Sequence, residues 1–274
     1  MEKTTTVINP PSSVSLGLKE LWHYRELFYF FTWRDIKVKY KQTYLGIFWA
    51  LLQPLGLMLL FTFLFSRTFR IDTGTMPYPV FVLSGLILWN LFNSSVSGAG
   101  ESMVQNANII KKIYFPRLII PCSSMLVSLF DFLIAFVIFF IICIVYKQPV
   151  HWTAILYFPA GICFVLVSAF GLGSFVAALN VKYRDFRYVL PFFLQVLFFA
   201  SQVIYPLESI QQSWLKSLMA INPVNGAIEL FRGALTDSSI DLTVVTIGLA
   251  SALLLTFIGL YYFRKTESYF ADIA

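Results

Sequence analysis

The sequence predicts an all-α polytopic membrane protein with six transmembrane helices, and three observations carry the prediction. Hydrophobic residues fill 58% of the 274 positions and charged ones only 12%, against roughly 25% charged in an ordinary soluble domain. The mean hydropathy is +0.75. Several apolar runs reach the ~20 residues that a helix needs to cross a hydrocarbon core about 30 Å thick.

Residues 1–17, MEKTTTVINPPSSVSLG, are polar and hold Pro10 and Pro11, with no apolar stretch behind a basic start. They read as a flexible tail and not as a cleavable signal. Residues 18–44 read as an amphipathic interfacial helix. Lys19, His23, Glu26, Arg34, Lys37 and Lys41 make a polar stripe broken at Phe30, and Leu21, Tyr24, Phe28 and Phe31 lie on the other side. Such a helix suits the plane of the membrane surface and is too charged to cross it.

Six spans follow, at 46–66, 79–98, 118–145, 154–180, 189–205 and 242–263, forming one transmembrane domain over 46–263 with a short tail at 264–274. Between spans five and six, residues 206–241 are long for a loop and contain two half-apolar pieces separated by Asn222 and Pro223. A pair of short re-entrant helices explains both features, because irregular backbone at membrane depth needs protein or water to satisfy it. No internal repeat is visible, which disfavours an inverted-repeat transporter.

Of the 20 Lys and Arg, fifteen fall in the segments on the N-terminal side of the membrane and five on the other. The positive-inside rule therefore places both termini in the cytoplasm. The stretch NIIKKIYFPRLIIP, residues 108–121, becomes a cytoplasmic loop leading into span three. Its Pro116 and Pro121 lack the amide hydrogen of a continuing helix and favour a bend there. The net charge of +6 is thus accounted for by membrane sidedness and calls for no nucleic acid.

Catalytic chemistry is hard to write on this chain. No glycine is followed by Lys, so a phosphate-binding G-x-x-x-x-G-K-S/T loop is excluded, and any ATP must be handled by a partner. Cys122, Cys143 and Cys163 sit in apolar runs as small hydrophobes. His23 and His151 form no zinc site and no Ser/His pair, and the outer acids Glu208, Glu229, Asp237 and Asp241 are scattered. An integral membrane glycosyltransferase or polymer ligase is the less favoured reading for that reason.

Asp131 is the one acid well inside an apolar run. A carboxylate there costs about 2.5 kcal/mol or more if left charged toward lipid. It is a functional candidate, or else it pairs with a polar side chain of a neighbouring helix or stays protonated. Aromatic residues make up 18% of the chain, mostly for packing and interfacial anchoring. Trp49, Trp89, Phe92 and Phe198 are candidates to line a path, since aromatic faces let sugar rings slide without fixed hydrogen bonds. The cations Arg34, Lys37, Lys39 and Lys41 either meet anionic lipid or receive a lipid-linked phosphate.

Four blocks in order, WRDIKVKYKQTYLGIFWALLQPL (33–55), NIIKKIYFPRLIIP (108–121), NVKYRDFRYVLPFFLQ (180–195) and NPVNGAIELFRGAL (222–235), resemble the membrane subunits of ABC type-2 exporters of lipid-linked polysaccharide, notably O-antigen and teichoic acid. The resemblance spans nearly the whole chain. It implies a homodimer joined to two cytoplasmic ATPase subunits that hold the ATP and Mg, a chain that carries no cofactor and catalyses no reaction itself, and a place in the bacterial inner membrane. It further implies that Gln105, Asn108, Lys111, Lys112, Tyr114, Phe115, Pro116 and Arg117 couple to the ATPase. Asn222, Pro223, Glu229 and Arg232 would belong to an outer lid. The same fold exporting teichoic acid, capsule, drug or another lipid is the alternative. One departure is Gln202 in SQVIYP, where the family commonly carries proline, and it bears on the kink at the outer mouth.

Overall fold

The computed structural model describes residues 18–41, 46–68, 73–183, 185–236, 240–267 and 270. All regular elements among them are helical. The tail expected at 1–17 lies outside the described residues, as do residues 268–269 and 271–274 of the tail expected at 264–274, whose first residues continue the last helix to Thr266.

Two helices open the chain, α1 (Leu18–His23) and α2 (Arg25–Lys41), parted by a turn at Tyr24. The apolar side expected from the spacing is buried against protein: Leu21, Tyr24, Leu27, Phe28 and Phe31 join Phe115, Leu118, Ile119, Phe263 and Phe270 in one cluster. α3 (Gly46–Phe61) continues as a π-helical turn over Thr62–Thr68.

The centre of the bundle is α4 (Tyr78–Gln105). Over residues 78–92 it is apolar on nearly every side, and a helix of that kind must be enclosed by others. α3, α6 (Ile119–Val145), α7 (Ala154–Lys182) and α10 (Pro223–Gly233) all pack on it. Span two was expected to end at residue 98, yet the helix runs to Gln105. Small residues explain the extension, because they let α7 come close: a methyl on Gly173 would stand 2.8 Å from the Ala99 Cβ, and one on Gly100 2.8 Å from Val176. Asn180 Nδ2 also donates to the Gly100 carbonyl at 2.8 Å. A short helix, α5 (Ala107–Ile110), and the turn to residue 118 then lead into α6. Pro121 sits in the first turn of α6, where a missing N–H leaves no helical bond unmade.

α8 (Phe186–Phe199) is displaced toward the N-terminus relative to the expected 189–205. Its C-terminal carbonyls are capped by side-chain amides. Asn222 Nδ2 donates to the carbonyls of Leu197 (3.1 Å) and Ala200 (3.4 Å), and Asn225 Nδ2 to Ala200 (3.2 Å). Those bonds stop the helix and turn the chain through 200–206. No proline is required, since the Gln202 backbone N–H donates to Asn225 Oδ1 at 2.8 Å, a bond a proline could not make. Two short helices follow, α9 (Ser213–Ala220) and α10, separated at Asn222.

α11 (Leu242–Thr266) closes the bundle. Asp241 caps it, its Oδ1 accepting from the N–H groups of Thr243 (3.0 Å) and Val244 (3.4 Å). It crosses α7 where Gly259 meets Gly171, so closely that a methyl on Gly259 would collide with the Gly171 carbonyl oxygen. Thr256 Oγ1 donates across the same crossing to Val167 at 2.9 Å.

Among the described residues four helices, α4, α6, α7 and α11, are long and apolar enough to cross a membrane, and two shorter apolar stretches lie at Leu51–Phe65 and Phe186–Phe199.

Candidate functional site

The two ends of α4 gather different chemistry. At its C-terminal end the 105–118 segment has an exposed apex on a buried base. Gln105, Asn108, Lys111, Lys112, Ile113 and Tyr114 are exposed, whereas Ile110, Phe115, Pro116 and Leu118 are buried. Phe115 lies 5.7 Å from Phe31 of α2, ring to ring. Arg117 donates to the Glu267 carbonyl and reaches over the Phe270 ring, 5.8 Å from its centroid. The base thus ties the loop to α2 and to the chain just past the last helix at once. Arg34 of α2 adds a bond from Nη2 to Asn106 Oδ1 at 2.8 Å.

The structure divides the four α2 cations. Arg34 pairs with Asp35 at 2.8 Å and stacks on Phe31, and Lys39 meets the Asp131 carboxylate together with the Tyr40 hydroxyl. Lys37 and Lys41 are exposed, Lys37 lying 5.2 Å over the Trp33 ring. Exposed Trp22, Tyr29 and Trp33 share that outer side, with Arg25 over the Trp22 ring.

Trp89 and Phe92 come together with Phe198 around the middle of α4. Their rings are 5.7 Å (Trp89–Phe92) and 5.4 Å (Trp89–Phe198) apart, and Phe61 stacks on Phe198 at 6.1 Å. Phe92 is fully enclosed, Trp89 nearly so, and Phe198 is half-buried. The first two therefore pack this chain's own core. The Trp49 side chain lies outside the described residues.

At the N-terminal end of α4 the fold buries an arginine. Arg232 of α10 lies flat on the Phe81 ring, 3.4 Å from its centroid. Its Nη2 donates to the carbonyls of Phe81 (3.0 Å) and Val203 (3.4 Å), and its Nε to Ser84 Oγ (3.3 Å). Beside it opens a cavity of about 630 Å³ whose walls include Gln202, Glu208 and Glu229. Gln202 Nε2 donates to the Asn225 carbonyl (2.7 Å) and to Glu229 Oε2 (3.3 Å), while Glu229 Oε1 accepts from the Asp241 N–H at 3.1 Å. Pro223 starts α10 at a position where proline is favoured, with Asn222 as its cap.

Gln202 and Asn225 escaped sequence reasoning as wall and brace of this end. The i, i+3 pair of asparagines around Pro223 is the signal that could have found the brace. A further pair went unnoticed, Lys216 and Asp241 at 2.7 Å. Their hydrogen bond holds the Asp241 carboxyl below its usual range and lifts the Lys216 ammonium above its own. No group of three or more His, Cys, Asp or Glu able to hold a metal occurs among the described residues.

Residues 26–236 match the ABC-2 type transporter family. The O-antigen export system permease protein RfbA of Myxococcus xanthus is 31% identical over 76% of this chain and 79% of its own length. A protein of the same name from Klebsiella pneumoniae is 27% identical over 88% and 92%. The polysialic acid transport protein KpsM of Escherichia coli is 27% identical over 85% and 91%. With most of its length matched to the family pattern, the chain belongs to the ABC-2 type transporters.

Proposed function

We propose that the chain is the membrane-spanning permease subunit of an ATP-driven exporter that carries lipid-linked polysaccharide of the O-antigen type from the cytoplasmic to the outer side of a bacterial inner membrane. The observation that carries this reading is the exposed Lys111–Tyr114 apex on its buried base. A membrane subunit that binds no nucleotide needs a rigid surface through which another protein can push, and coupling requires a physical contact between two discrete packings. The names of the relatives supply the cargo class.

In this reading two copies of the chain assemble with two ATPase subunits, which hold ATP and Mg. The apex docks on the ATPase. Because Arg117, Phe115 and Phe31 bind the apex to α2 and α11, a displacement of the loop moves those helices with it. Six crossings are completed by α3 with its π turn and by α8. α8 alone is about 21 Å long by helical rise, and the turn at 200–206 with α10 would make up the remaining depth. Both termini are cytoplasmic, which puts the apex on the cytoplasmic side and the Arg232 cavity outside.

Of the basic residues on α2, Lys37 and Lys41 are the ones placed to receive a lipid-linked phosphate, since Arg34 and Lys39 already hold carboxylates of this chain. Phe198 and Trp49 remain the aromatic candidates for a glycan path. A capsular, acidic glycan is a second reading, favoured by the polysialic acid transport relative.

The test is reconstitution of the chain with its ATPase in vesicles charged with lipid-linked polysaccharide. Export reading requires ATP-dependent passage of the glycan across the bilayer. Drug efflux without glycan movement, or glycan synthesis by the chain alone, would overturn it.

A further inference from the structure

The cavity beside Arg232 lies at the opposite end of α4 from the 105–118 loop, and its chemistry is specific enough to name a ligand. Its volume of about 630 Å³ falls within the roughly 300–1,000 Å³ typical of small-molecule sites. Arg232 is 7% exposed. Burying a guanidinium is costly unless its donors are met, and an apolar side chain of similar volume often serves stability as well. The fold employs Nε and Nη2, while Nη1 has no hydrogen-bond partner among the described residues. The Arg232 side chain forms part of the cavity wall, so an unmet donor is offered to whatever occupies it.

Facing that donor are acceptors. Glu229 is braced by Gln202 and by the Asp241 N–H, and the exposed Glu208 and Thr75 line the same cavity. Lys216 also acts on both glutamates but is matched by Asp241, so two carboxylates against one guanidinium leave the cavity negative. A phosphate or a sugar acid would be repelled there, and a metal ion would find a cation in its place. Hydroxyl groups, which both donate to carboxylates and accept from a guanidinium, satisfy every group at once.

We infer that this cavity is a glycan subsite that holds a neutral, hydroxyl-rich sugar unit, with Glu208 and Glu229 accepting from its hydroxyls and Arg232 Nη1 donating to one. The inference rests on the export reading and adds to it the place where the leaving chain is gripped, and a preference for uncharged sugar over acidic sugar at that point.

The experiment uses the complete permease–ATPase complex in lipid nanodiscs, titrated with neutral hexasaccharides of glucose, mannose and galactose and with a hexamer of sialic acid, and read by saturation-transfer NMR. At least one neutral hexasaccharide binds, the sialic acid hexamer does not, and the rim pair Glu208→Gln with Glu229→Gln weakens binding tenfold or more while the melting temperature of Glu208→Gln alone stays unchanged. Binding of no neutral hexasaccharide, binding indifferent to the pair, or tighter binding of the acidic hexamer overturns the subsite. ATP-driven passage of lipid-linked polysaccharide, measured on the same complex in vesicles, separates the two readings: passage without hexasaccharide binding removes only the subsite, and absence of passage removes the export reading.

Discussion

Lys39 near the end of α2 meets the carboxylate of Asp131, 92 residues later and midway along α6. Tyr40 donates to the other carboxylate oxygen. The apolar run around Asp131 is therefore interrupted by an acid whose charge is met by this chain's own cation. Lys39 is 49% exposed and Asp131 18%, so the two are not equivalent to lose. Lys39→Ala leaves a mostly buried carboxylate, at a cost of about 1–3 kcal/mol, whereas Asp131→Asn leaves a lysine that can turn to solvent or headgroups. We expect Lys39→Ala to lower the melting temperature clearly more than Asp131→Asn, and the double variant to recover part of the loss. Equal effects in thermal unfolding of the detergent-solubilised protein would refute the asymmetry.

The legibility of this pair is instructive. Sequence pattern found Asp131 because an acid in an apolar run stands out, and found Lys39 because it lies in a cationic cluster. It could not join them, since nothing local specifies that α2 climbs along α6. The long apolar helices and the two short helices around Asn222 were legible from periodicity and punctuation. Helix ends were less so: α4 outruns its expected end through Ser, Gly and Ala that look like a loop, and α8 stops early because Asn222 and Asn225, distant in sequence, cap it. The aromatic residues show the same limit of local pattern: Trp89 and Phe92 are buried among α4's neighbours, and only the packing reveals which aromatic side chains of so apolar a stretch are enclosed.

The α7–α11 crossing should be intolerant of a single methyl. Gly259→Ala would place a carbon against the Gly171 carbonyl, where backbone cannot yield, and overpacking of this kind costs about 1–3 kcal/mol. Gly56 in α3 is the internal control. It has nothing within 4 Å of an added Cβ, so Gly56→Ala should stabilise by roughly 0.5–1 kcal/mol through helix propensity. Opposite shifts in thermal unfolding are the expected outcome, and a neutral Gly259→Ala would show that the two helices do not approach so closely.

The Lys216–Asp241 pair sets a broad pH window. Asp241 titrates below its ordinary value in the folded chain, chiefly through its hydrogen bond to Lys216, so its contribution is present above the unfolded carboxylate value near ~3.9 and is lost as pH falls through the lower folded value. Lys216 titrates higher, by the same bond. Its contribution is present below the unfolded lysine value near ~10.4 and is lost as pH rises beyond the raised one. Asp241→Ala removes the pair and the α11 cap together, the cap alone being worth about 1 kcal/mol. The difference in stability between wild type and Asp241→Ala should be flat from about pH 5 to pH 9 and shrink below pH 4. A difference that grows on acidification would be the wrong sign.

The 105–118 loop, proposed to dock on the ATPase, separates function from stability within a few residues. Lys111 and Lys112 are exposed at the apex, and surface substitutions usually change stability by no more than about 0.5 kcal/mol. Phe115 at the base is 4% exposed and packs against Phe31, and truncating a buried phenylalanine costs about 3–5 kcal/mol. Reversing both lysines to Glu should therefore leave the melting temperature and membrane insertion intact while ATP hydrolysis by the partner no longer drives glycan export. Phe115→Ala should lower stability and export together. Measuring both quantities on both variants discriminates a docking surface from a merely solvated charge: export undiminished in the Lys111→Glu, Lys112→Glu protein would mean that the ATPase pushes elsewhere. The converse pattern, in which the apex variant unfolds, is excluded by geometry if the loop base holds, because Arg117 and Phe115 anchor it to α11 and α2 without help from either lysine.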